Sequence, residues 1–142
     1  MSFTIKNEEF ITEIEVISRP YADADNVWDI NWLMCSIKIR IPCFTTNFCT
    51  YITCDELKTF YDELRILQEK LQGTACLSTL ESGINVEASV DKLGHIGWKI
   101  DTQYPEGCGA SLNFEFETDQ SYLYQTLREL KDIINEYPVI MI

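Results

Sequence analysis

His95 is the only imidazole in the chain, and Cys35, Cys43, Cys49, Cys54, Cys76 and Cys108 are the thiols it could activate. A Cys–His pair does nucleophilic chemistry only when the base lies within hydrogen-bond reach of the sulfur. Cys108, in the turn Glu106-Gly107-Cys108-Gly109, is the most exposed candidate, but the flanking glycines are explained by turn chemistry alone. By strand alternation His95 points the same way as Lys99 and Asp101, a solvated position. Zinc would want paired thiolates at short spacing, whereas the cysteines are separated by seven, five, four, twenty-one and thirty-one residues, with no C-x-x-C. Asp23-Ala24-Asp25-Asn26 opens like a calcium loop. Its sixth position is Trp28 where the loop needs Gly, and its twelfth is Met34 where it needs Glu. The six glycines form neither G-x-G-x-x-G nor a Walker pattern. Glu115 and Glu117 fall on the outward face of a strand, without the burial that tunes a carboxylate for acid–base work. The expectation is no catalytic set, no metal site and no cofactor.

Charge points elsewhere. Twenty-three acids against eleven Lys and Arg give a net charge of -12. A strongly acidic surface repels nucleic acid and anionic membrane but speeds encounter with basic proteins. Residues 1–30 hold seven acids and two bases, and residues 110–142 hold six and two, whereas residues 31–54 hold only Lys38 and Arg40. If the two acidic ends meet in space they build a patch for a basic partner. Outward Glu13, Glu15, Glu87 and Glu115 are alternatively placed to pair across strands with Lys38, Arg40 and Lys99. Asp23, Asp25 and Asp29, beside Trp28, make one loop the first choice for contact, with Glu115, Glu117 and Asp119 the second group. Trp32 is expected in the core, and Trp28 fits either a core edge or an interface.

Those residues must be held by a scaffold, and 46% hydrophobic composition over 142 residues suffices for one domain spanning residues 1–142. The first residues show no export signal, so reduced cysteines and a cytoplasmic location are expected. Leu33, Cys35, Ile37, Ile39 and Ile41 alternate with Ser36, Lys38 and Arg40, the pattern of a half-buried strand. Similar alternation predicts strands over Phe10–Ile17, Phe44–Ile52, Ala75–Leu80, Ile84–Val90, Ile96–Thr102 and Leu112–Phe116. Short connections through Gly83, Asp91–Gly94 and Pro105–Gly109 imply antiparallel hairpins. Helical spacing runs from Asp55 to Gln72, entered through a Thr53/Glu56 capping box and stopped by Gly73. A second helix spans Gln120–Tyr137, with Thr118 or Asp119 as N-cap and Pro138 at its end. The fold class is therefore α+β: a largely antiparallel sheet of six to eight strands with two amphipathic helices packed on one face.

Trp28-Asp29-Ile30-Asn31-Trp32-Leu33 and Phe114-Glu115-Phe116-Glu117-Thr118-Asp119-Gln120-Ser121-Tyr122-Leu123 resemble the WapI family of bacterial immunity proteins, along nearly the whole chain. Ile30 stands where that pattern usually has Gly, a departure that bears on the geometry of this loop. The resemblance implies a non-enzymatic protein that binds the C-terminal nuclease domain of a cell-wall-associated contact-dependent toxin, a tRNase in the nearest relatives, and blocks it. Such a partner grips phosphates with Lys and Arg, so carboxylates suit its inhibitor. Two other classes fit the composition: an acidic nucleic-acid mimic or adaptor on another basic protein, and a β-rich domain with an apolar ligand pocket.

Overall fold

Eight strands form, and every pairing is antiparallel. In the computed structural model, which describes residues 1–142, β1 (Ser2–Lys6), β2 (Ile11–Ser18), β3 (Trp32–Ile41) and β4 (Phe44–Thr53) make one sheet in that order. The second sheet is β5 (Thr74–Ser78), β6 (Ile84–Val90), β7 (Ile96–Tyr104) and β8 (Ala110–Thr118), again in chain order. Each is a meander, joined by short hairpins except between β2 and β3, where residues 19–31 intervene. The α+β class holds, but one sheet was expected and two are present. Seventeen residues of helix, α2 (Cys54–Lys70), separate β4 from β5 and let the chain open a new layer. β1 had no counterpart in the alternation analysis, because only Phe3 and Ile5 carry its pattern.

The inner faces close one core. Phe3, Ile14, Leu33 and Ile37 of the first sheet join Leu77, Val86, Ile100 and Phe116 of the second in a single contiguous cluster. Phe60 and Leu64 of α2, with Leu123 and Leu130 of α3 (Gln120–Glu136), complete it. Phe10, at the mouth of β2, stacks on Phe116 with ring centroids 5.1 Å apart, locking one sheet to the other. Burying each such side chain contributes about 1.5–3 kcal/mol.

The helices also seal sheet edges. The Thr4 N–H of edge strand β1 donates to Glu129 Oε1 at 2.9 Å, and its carbonyl accepts from Thr126 Oγ1 at 2.6 Å. On the other edge the Cys76 N–H of β5 donates to Glu63 Oε1 at 2.9 Å. Each helix lies along one sheet's edge, α3 along β1 and α2 along β5, because an unpaired strand's backbone groups need partners.

Helix boundaries follow the sequence cues closely. Thr53 and Glu56 make the expected capping box, and Asp119 caps α3. At the C-terminus of α2 the left-handed residue is Leu71, with φ 52°, so the stop comes two residues before Gly73. A third helix, the single turn α1 (Val27–Ile30), replaces the loop expected there. Ile30 sits in it with a buried side chain and no left-handed backbone, which removes the need for the usual glycine.

Candidate functional site

Folding dictates the inner faces of the sheets and leaves the outer ones free. On the second sheet, register aligns Glu87, Lys99 and Glu115 in one row across β6, β7 and β8, and Ser89, Gly97 and Glu117 in the next. Gly97 has no side chain to fill its place, and a shallow depression of about 360 Å³ opens there, lined by Glu87, Lys99, Glu115 and Glu117. Three carboxylates surround one ammonium. The first sheet inverts this: Lys6, Lys38 and Arg40 share a recess of about 430 Å³ with a single acid, Glu13. Glu13 stands directly opposite Lys38 and Glu87 opposite Lys99. The expected cross-strand ion pairs nevertheless do not close, since the only salt bridges are Lys58–Asp62 at 2.7 Å and His95–Asp91 at 3.2 Å. Most of the acidic side chains are therefore held in no salt bridge, and the second sheet keeps an excess of negative charge.

The loop before β3 forms a second feature. Asn26 caps α1 by accepting the Asp29 N–H at 2.9 Å, and its amide donates to Asp29 Oδ2 at 3.0 Å. Trp28 is 80% exposed on that turn. Trp32 is half-buried at the sheet end, not in the core, because it opens β3 where the inner layer runs out. With Tyr21, Tyr51, Asp29 and Glu81 it lines a recess of about 310 Å³. The Tyr21 and Tyr51 rings stack at 6.5 Å, and Trp32 meets Tyr51 edge-on at 6.2 Å.

Beneath the loop, buried Asn31 does structural work that the sequence motif did not disclose. Its amide donates to the Val27 and Ile140 carbonyls, and its oxygen accepts from the Ile140 N–H. Arg19 joins by donating to the Ile30 and Pro138 carbonyls at 2.8 and 2.7 Å. The knot ties the loop to the C-terminal tail.

The two acidic ends of the chain do meet, since Tyr122 Oη donates to Glu8 at 2.8 Å and Asn7 Nδ2 to the Glu117 carbonyl at 3.0 Å. The candidate carboxylates still fall into two groups. Glu115 and Glu117 lie near Asn7, beside the start of β2, whereas Asp23, Asp25 and Asp29 follow its end. At about 3.3 Å per residue the eight residues of β2 set the groups roughly 20 Å apart. Asp119 is already engaged, accepting from the hydroxyl and N–H of Ser121, which hold its carboxyl below the usual range.

The residues weighed for catalysis are dispersed. His95 precedes β7 and Cys108 follows it, so nine strand residues keep them roughly 25 Å apart. His95 instead faces Asp91, whose Oδ1 accepts from the N–H groups of Leu93 and His95 at 2.8 and 2.9 Å. All six cysteines are unpaired. Burial, with Cys54 close by, pushes the Cys35 thiol up to about 12, where no thiolate forms at neutral pH. No helix is long and apolar enough to cross a membrane.

No curated protein matches the chain at a significant level. One family does, and it covers the sheets, the helices and the acidic surfaces just described: residues 3–138 match the family model, and the chain belongs to the Immunity protein WapI-like family.

Proposed function

We propose that this chain is a cytoplasmic immunity protein that binds and neutralises the toxic C-terminal nuclease domain, a tRNase, of a cognate cell-wall-associated contact-dependent toxin. The family supplies the class of function. The observation that supports the partner's chemistry is the excess of carboxylates at Glu87, Glu115 and Glu117, which outnumber their one neighbouring cation, Lys99, and at Asp23, Asp25 and Asp29, none of them in a salt bridge. A nuclease must display Lys and Arg to its phosphates, and fixed carboxylates can engage the same groups and exclude RNA. No proton transfer, metal or cofactor enters: inhibition is occupation. The recesses on the outer sheet faces are open and lined mainly by charged and polar residues, a surface suited to protein docking more than to an enclosed apolar ligand.

The test is kinetic. Association with the purified toxin domain should slow as salt rises, since exposed charges more than about 8 Å apart are screened at physiological ionic strength. Replacing Asp23, Asp25 and Asp29 together by Lys should weaken binding about tenfold or more while the melting temperature stays nearly constant. Salt-independent association with unchanged affinity in this variant would discard the electrostatic reading.

A further inference from the structure

The recess at the end of the first sheet has a composition that the charge argument does not require. Three aromatic rings, Tyr21, Trp32 and Tyr51, stand with two carboxylates, Asp29 and Glu81, around one opening. Ring faces attract cations through their quadrupole, and carboxylates supply the counter-charge. Arg19, the base in the segment leading into this loop, is committed to the Ile30 and Pro138 carbonyls and does not line the recess. Glu81 makes no hydrogen bond or ion pair of its own, and Asp29 keeps one oxygen free of its contact with Asn26.

The walls are also pre-set. Tyr51 and Trp32 sit on paired strands, diagonal across the β3–β4 ladder. Glu81 rides on a turn closed by the Ser82 N–H on the Thr79 carbonyl and held by the Leu80 N–H on Glu56 Oε2 at 2.7 Å. That turn is pressed onto β4 so closely that any side chain at Gly83 would collide with Thr50. The Tyr51 phenol is raised above its ordinary range, first by the Tyr21 phenol beside it, then by burial, and last by the Glu81 carboxylate that lines the same recess. A receptor fixed before binding loses little entropy when occupied.

We infer that this aromatic and acidic cage receives an arginine side chain of the toxin domain, the guanidinium lying against the Tyr21, Trp32 and Tyr51 rings and forking toward Asp29 and Glu81. Arginine is favoured over lysine because its planar, weakly hydrated head both stacks on rings and bonds carboxylates in pairs. This inference rests on the proposed function for the identity of the partner, but not for the existence of the cage.

Two measurements separate those dependencies. The first titrates the protein with N-acetyl-arginine amide, following its three tryptophan indole N–H signals by NMR. The Trp32 signal should shift saturably while that of buried Trp98 stays fixed, and the double variant Tyr51→Leu, Glu81→Gln should lose the response. The second measures affinity for the purified C-terminal domain of the cognate toxin. The same variant should bind it about tenfold more weakly, with the melting temperature reporting that the fold is intact. Glu81→Gln alone serves where the double variant unfolds. A Trp32 signal indifferent to the arginine derivative, or a variant with unimpaired toxin binding, overturns the inference. If the wild type fails to bind the toxin domain yet still takes the arginine derivative, the proposed function has failed and its arginine with it, while the cage stands.

Discussion

The outer faces of the two sheets are built alike and charged oppositely. Each is a four-stranded antiparallel meander in chain order. One displays Lys6, Lys38 and Arg40 with Glu13 and Glu15, and the other displays Glu87, Asp101, Glu115 and Glu117 around a single Lys99. The inner faces are alike in character, mostly aliphatic and aromatic with a few buried threonines, because burial selects them. The net charge of -12 is therefore an average over surfaces of opposite sign. A basic partner would be drawn to the second sheet and to the acidic loop at the end of the first, and turned away from the recess of Lys6, Lys38 and Arg40, so charge would set orientation as well as rate.

The sharpest way to break this comparison is to invert each face separately. Glu87→Lys, Glu115→Lys and Glu117→Lys together should slow toxin association by roughly 10–100-fold at low salt. Lys6→Glu, Lys38→Glu and Arg40→Glu together should leave it unchanged or faster. Stopped-flow rates across a salt series read both, and equal slowing by the two sets would show that no face is preferred.

A smaller effect contrasts inner with outer. Thr12 lies on the inner face with its hydroxyl buried and without a hydrogen-bond partner, unlike the solvated polar residues outside. Thr12→Val should therefore stabilise the fold by about 1 kcal/mol, seen as a raised urea midpoint. A lowered midpoint would mean that the hydroxyl has a partner in solution.

The smallest effect separates the sheets by pH. The β1–β2 hairpin is tied by a neutral group, Asn7 Oδ1, which accepts the Glu9 and Phe10 N–H groups, both at 2.9 Å. The β6–β7 hairpin is tied in the same manner by the Asp91 carboxylate. Its pKa is lowered, chiefly by the His95 N–H, so its contribution to stability is present above the unfolded carboxyl value of about 4 and is lost as pH falls through the lower folded value. Amide protection at Leu93 and His95 should drop in that acid window while Glu9 and Phe10 hold theirs. Asp91→Asn should abolish the difference.

How much of this was legible in the chain depends on how local the signal is. The alternation from Leu33 to Ile41, the Thr53/Glu56 box and the Asp119 cap each lie within a few residues, and each formed as read. The division into two sheets did not show, because alternation reports which residues face inward and not which strands pair. β1 was too short to declare itself. Of the aromatic cage, Asp29 and Trp32 stood out as neighbours, but Tyr21, Tyr51 and Glu81 come from three other segments and meet only after β3 pairs with β4 and the β5–β6 turn docks. Charge totals likewise indicated a basic partner, yet could not reveal that Asp29 and Glu117 end up at opposite ends of β2.

The side-chain seals on β1 and β5 bear on how the protein behaves when it is abundant. If the protein acts stoichiometrically it must at least match its target in number, and high concentration is where exposed strand edges recruit one another into aggregates. Glu129, Thr126 and Glu63 occupy backbone groups that such recruitment would use. The remaining edges, β4 and β8, flank a common recess between Phe48 and Leu112. Capping of the β1 and β5 edges by side chains thus removes part of the template that edge-to-edge pairing needs.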